Sequence, residues 1–139
     1  MVRLLISLAA LFFHSHTVLA QGLPTDDQKN DYCKGVSASQ IAIISALLRD
    51  DGGNLSLSQI KILAISEATK IKNISDTTRM GIVAHTNNFE EQHIVQMRRE
   101  LQKEIRHKNL DLATYRDLFN KNIPSLMVAK FKDCKDEIK

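Results

Sequence analysis

Tryptophan is absent from the 139-residue chain, and aromatic residues of any kind make up 5% of it. Beyond residue 20 the aromatics are Tyr32, Phe89, Tyr115, Phe119 and Phe131, most of them on stripes that read as core. Little is left over for stacking against bases. Charge lends nucleic acid no more support, because 19 Lys and Arg stand against 16 Asp and Glu. Phosphate binding needs basic residues gathered on one face, and a thin surplus spread along the chain does not provide that. Familiar catalytic signatures are missing too: no Gly-x-Ser-x-Gly elbow, no phosphate-binding glycine loop and no His-Glu-x-x-His. The expectation is a protein with no catalytic residues, no cofactor and no metal centre.

Long apolar runs are confined to the start of the chain. Leu4–Phe13 (LLISLAALFF) carries no charge but is only ten residues long, about half the ~20 that a membrane-spanning helix requires. Arg3 precedes it, and Val18-Leu19-Ala20 follows with the small residues a signal peptidase accepts. Residues 1–20 therefore read as a signal peptide removed on export, to the periplasm in a bacterium or outside the cell in a eukaryote. No cysteine stands at the cleavage point, where residue 21 is Gln, which argues against a lipid anchor. Residues 21–139 are expected to form a single helical domain with no transmembrane segment.

Cysteine occurs twice, at Cys33 and Cys134. An exported chain enters an oxidising compartment, where a pair of thiols ordinarily closes into a disulfide. Cys33 falls near the start of the first helical pattern and Cys134 near the end of the last. Their bond would staple the two ends of the domain together.

What is present is helical periodicity, with little of the alternation expected of exposed strands. Thr25 and Gln28 open a first helix whose stripe is Tyr32, Val36, Ile43 and Leu47, and Asp51-Gly52-Gly53-Asn54 stops it. Ser56 and Gln59 open a second, carrying Leu57, Ile60, Ala64, Ala68 and Ile71. Ile62, Leu63 and Ile65 lie off that stripe, which suggests the middle of a bundle. Residues 76–86 read as a short helix weakened by Gly81. Asn88 with Glu91 reads as the cap of a longer helix over 89–108, with Ile94, Met97, Leu101 and Ile105 inward and Asn109 as its stop. Asp111 begins a short helix with Leu112, Tyr115, Leu118 and Phe119. Pro124 then suits the first turn of a separate last helix bearing Met127, Phe131, Cys134 and Ile138. The fold expected is all-α: a small compact bundle of four to six helices, stapled by one disulfide between its ends.

Four patterns invite a functional reading. Glu90-x-x-His93 and Glu104-x-x-His107 have the spacing of di-iron bundles, but both sit on one helix about 21 Å apart and cannot share a metal cluster. Asp50-Asp51-Gly52-Gly53-Asn54 opens like a calcium loop, yet Leu55 stands where glycine is needed and Lys61 where glutamate should close the site. Asn54-Leu55-Ser56 and Asn73-Ile74-Ser75 are glycosylation sequons, relevant only in an organism with that machinery. Arg98, Arg99, Lys103 and Arg106 cluster on the polar side of the long helix, where Glu100 and Glu104 are interleaved at ordinary pairing distances.

That basic cluster is the candidate docking face, with Ile62, Ile65 and Val95 as a candidate apolar patch beside it. The function expected is non-covalent binding to a protein partner, in an inhibitor, immunity-type or adaptor role. The alternative is a carrier whose bundle encloses a small apolar ligand in a cavity lined by Met97, Leu101, Met127 and Phe131.

Overall fold

A computed structural model describes residues 25–50, 53–70, 72 and 74–138. The expected signal peptide, the sequon residue Asn73 and the stripe residue Ile71 lie outside them. Among the described residues every regular element is a helix: α1 Asp26–Arg49, α2 Leu57–Thr69, α3 Asp76–Asn88, α4 Glu91–His107 and α5 Leu112–Glu137.

The starts of these helices follow sequence chemistry. Thr25 Oγ1 accepts the Gln28 amide at 3.2 Å. Ser56 and Gln59 form a reciprocal capping box. Ser75 and Asp111 accept the amides of Thr78 and Thr114. Each cap supplies an acceptor for an amide that the first turn leaves without one. At the end of α4, Leu110 donates to the Ile105 carbonyl and Asn109 to that of Arg106. This turn places Asn109 at φ 54°, a left-handed conformation that asparagine tolerates better than most side chains.

The first helix, not the second, is the centre of the bundle. From Cys33 to Leu48, α1 buries every residue except Lys34 and Ser45. Gly35, Ser37, Ala38, Ser39, Ala42 and Ala46 are distributed around its circumference, so other helices can approach from several sides. Its hydroxyls are satisfied inside the helix, Ser37 Oγ donating to the Cys33 carbonyl at 2.7 Å and Ser39 Oγ to that of Val36 at 2.8 Å. On α3 the approach is closest at Gly35. A Cβ there would stand 3.2 Å from the His85 ring and 3.5 Å from the Gly81 carbonyl carbon. Tyr32 packs edge-on against the same His85, with centroids 4.9 Å apart. The expected central helix, α2, instead buries one side, through Ile60, Ala64 and Ala68, and leaves Ile62 68% exposed.

Three further expectations are corrected. The short helix expected over 76–86 extends to Asn88, and a Cβ added at Gly81 would meet nothing within 4 Å, so the glycine is not required by the crossing. Asn88 ends α3 instead of capping α4, whose first residues follow Glu90 with no side-chain cap. The two helices expected on either side of Pro124 are one helix, α5, with Pro124 inside it. Proline removes one helical amide and crowds the carbonyl four residues back. Here Pro124 and Asn120 are both exposed residues, on the outer side of the helix. Continuity fixes the helical phase: Tyr115 and Phe119 are followed inward by Leu126, Lys130 and Cys134. Met127 and Phe131, expected on the inner stripe, are half-buried at its edge.

The disulfide is present. Cys33 and Cys134 are bonded, their Cα atoms 5.6 Å apart and 101 residues apart in sequence. Both are buried, with Ile138, Tyr32 and Phe131 packed around them. Cross-linking so distant a pair removes much of the unfolded chain's freedom. The double substitution Cys33→Ala/Cys134→Ala should lower unfolding free energy in urea by about 4 kcal/mol. A loss under about 1 kcal/mol would mean that loop closure does not govern the bond's contribution.

Candidate functional site

The richest polar constellation lies at the C-terminal end of α1, opposite the disulfide. Asp50 caps the helix, and its carboxylate accepts the Asn54 amide at 3.0 Å and the Leu55 amide at 3.2 Å. Arg98 reaches across from α4, its Nη2 lying 3.2 Å from Asp50 Oδ2 and 3.0 Å from the Leu55 carbonyl oxygen. From α5, Arg116 donates through Nε and Nη2 to the Leu48 carbonyl, at 3.0 and 2.8 Å. Two guanidiniums thus meet the negative end of the central helix, where a cation is favoured and the carbonyls lack helical partners. The carboxylate of Asp50, which leads the calcium-like stretch, is therefore already occupied, while Asp51 and Gly52 lie outside the described residues.

These contacts divide the expected basic cluster. Arg98 is half-buried and its guanidinium is held in this clamp by Asp50. Arg99 is exposed, with no ion-pair partner among the described residues. Lys103 lies 3.4 Å from Glu100, an exposed pair that water screens. Arg106 directs its Nε to the Gln102 carbonyl at 3.3 Å and is otherwise exposed. Of the candidate apolar patch, Ile62 is exposed, whereas Ile65 on α2 and Val95 on α4 are half-buried.

Beside the clamp is a cleft of about 370 Å³. Leu47, Leu101, Ile105 and Leu112 give it an apolar surface, and Arg98, Gln102 and Arg106 run along it at one-turn intervals of α4. Of the four residues expected to line a carrier cavity, only Leu101 borders this cleft. Met97 is buried in the main core and Met127 packs against it, while Phe131 packs beside the disulfide. The four do not surround one space, because Phe131 belongs to the far end of the bundle.

Two buried ionisable groups escaped the sequence reading. Lys130 is 1% exposed, its Nζ 3.1 Å from Gln40 Oε1. Burial pushes its ammonium down to about 8, against a smaller opposing pull from Asp133. Reading α5 as one helix would have revealed it, since residue 130 follows the phase of Phe119 and Leu126. Glu104 is the second. Burial raises its carboxyl above the usual range, the nearby Lys108 ammonium opposing at 3.3 Å. Burial and Glu104 together push the Tyr115 phenol upward, and Lys108 Nζ lies 5.9 Å from that ring's centre.

Glu90 and His93 approach to 3.9 Å. Among the described residues, no group of three or more His, Cys, Asp or Glu side chains is placed to hold a metal ion. No protein-family model, curated protein or solved structure matches the chain.

Two outcomes follow from the buried groups. Asp50→Ala, which leaves two backbone amides without their acceptor and Arg98 with only the Leu55 carbonyl, should cost about 3 kcal/mol in urea unfolding. Arg99→Ala, on the same helix but exposed, should change stability by less than about 0.5 kcal/mol. The second outcome concerns pH. Between about 8 and the ordinary lysine value of 10.5, the unfolded chain binds a proton at Lys130 that the folded chain has released. This contribution to stability therefore grows as pH rises through that window and is lost as pH falls through 8. Urea midpoints at pH 8 and 9, where a tyrosine of ordinary value 10.0 is still mostly protonated in the unfolded chain, should show the rise in the native protein and none in Lys130→Met.

Proposed function

We propose that this is a small exported helical protein that acts by non-covalent binding to a protein partner, in an inhibitor, immunity-type or adaptor role. The supporting observation is the outer surface of α4. This helix has the sharpest division between apolar and polar faces of the five. Its inward side is satisfied by Ile94, Met97 and Leu101. Outward, Arg99, Lys103 and Arg106 present cations that the fold does not consume, since none of them reaches another helix. Basic groups held at fixed spacing on a rigid helix suit an acidic protein surface, where they govern association rate and register. Export is supported by the buried disulfide, stable in an oxidising compartment. No helix among the described residues is long and apolar enough to cross a membrane.

The partner should remain bound when the protein is purified from its exported compartment without reductant. Arg99→Glu/Lys103→Glu should keep the helical spectrum and the urea midpoint while weakening that complex about tenfold or more at low salt. Undiminished affinity in the charge-reversed protein would overturn the role of α4.

A further inference from the structure

The α4 face and the cleft beside it are adjacent, and their chemistry differs. Leu47, Leu101, Ile105 and Leu112 offer apolar surface contributed by three helices. Arg106 stands at the edge with its Nε turned back to its own helix, leaving its terminal nitrogens directed at no protein acceptor among the described residues. Arg98 on the same row is different, because Asp50 already neutralises it. The group that complements this edge is a carboxylate, and the group that complements the rest is apolar.

Size narrows the occupant. A volume of about 370 Å³ is at the small end of the ~300–1,000 Å³ typical of ligand pockets. It suits one large side chain better than an entire enclosed molecule. Anchors of this kind, an apolar side chain seated in a small pocket with polar contacts around it, dominate many protein interfaces. The positive charge also continues past the cleft onto the next row of α4, at Arg99 and Lys103. A small free carboxylate would meet Arg106 alone, whereas a chain segment with several acidic residues would reach all three.

Resting on the docking role of α4, we infer that the cleft seats a single large apolar side chain from an acidic segment of the partner, whose flanking carboxylates pair with Arg106 and Arg99. Gln102 borders the cleft and is exposed, so Gln102→Trp would obstruct it without touching the core or any charge.

The test uses three probes followed by amide chemical shifts on the full mature protein. These are a blocked pentapeptide with phenylalanine between pairs of acidic residues, the same peptide with serine at its centre, and octanoate. The phenylalanine peptide should shift the amides of Gly53, Ile105 and Leu112, and bind about tenfold more tightly than the serine peptide. Gln102→Trp should abolish that difference while residual, salt-sensitive binding to α4 persists. Equal binding of both peptides, sensitive to Arg99→Glu/Lys103→Glu but not to Gln102→Trp, would overturn the anchor and leave the docking face standing. Octanoate matching the phenylalanine peptide would overturn the choice of a protein segment in favour of a free amphipathic carboxylate. No shift with any probe would overturn the cleft as a site, and the charge-reversed native complex would still decide the docking face separately.

Discussion

Everything in this fold answers to the burial of α1. A helix enclosed along most of sixteen residues, from Cys33 to Leu48, cannot exist by itself in water, since its apolar surface has no exposed side to turn outward. The other helices are arranged as its cover. Of these, α2, α3 and α5 pack directly against it and α4 touches it least. Small residues make this geometry attainable, most plainly at Gly35, where a Cβ would stand 3.2 Å from the His85 ring of α3. Close packing of this sort gives many weak dispersion contacts, each negligible and together decisive.

A buried helix still has two ends, and both are secured by chemistry other than packing. At one end Cys33 is bonded to the last turns of α5. At the other, Arg98 and Arg116 reach from α4 and α5 to Asp50 and the Leu48 carbonyl. The two fastenings differ in kind. The disulfide acts chiefly by restricting the unfolded chain. The arginines act on the folded one, supplying donors to groups that would otherwise be buried without them. Between the two ends, Lys130 spans the α1–α5 contact to reach Gln40. A lysine at that depth carries a desolvation cost that an apolar residue would avoid.

The division of labour on α4 follows from the same geometry. Because α4 packs at the edge of the bundle, it needs only one inward stripe, and its opposite side is unconstrained by the fold. Arg98 points toward the α1 terminus and is consumed there. One residue further along, Arg99 faces water. A single step of about 100° around the helix separates a structural guanidinium from one available to a partner.

Much of this was legible in the sequence. Capping residues at Thr25, Ser56 and Asp111, the stop at Asn109 and the inward stripe of Ile94, Met97 and Leu101 are local signals, and local chemistry enforced them. The pairing of Cys33 with Cys134 was legible because only one intramolecular pairing exists. Other features depended on neighbours distant in the chain. Whether α1 or α2 occupies the centre turns on how closely other backbones approach, which apolar counting does not measure. Proline usually marks a boundary, but the helix runs through Pro124, which lies on its exposed side. That continuity then placed Lys130 inside and Met127 and Phe131 at the edge. The clamp joins Leu48, Asp50, Arg98 and Arg116, residues drawn together only by the packing of three helices. Sequence alone determined the all-helical class, most helix starts and the disulfide, because caps, periodicity and two thiols act over short range or without competition. The tertiary structure decided which arginines are structural and which remain free, because that depends on what lies across the bundle from each.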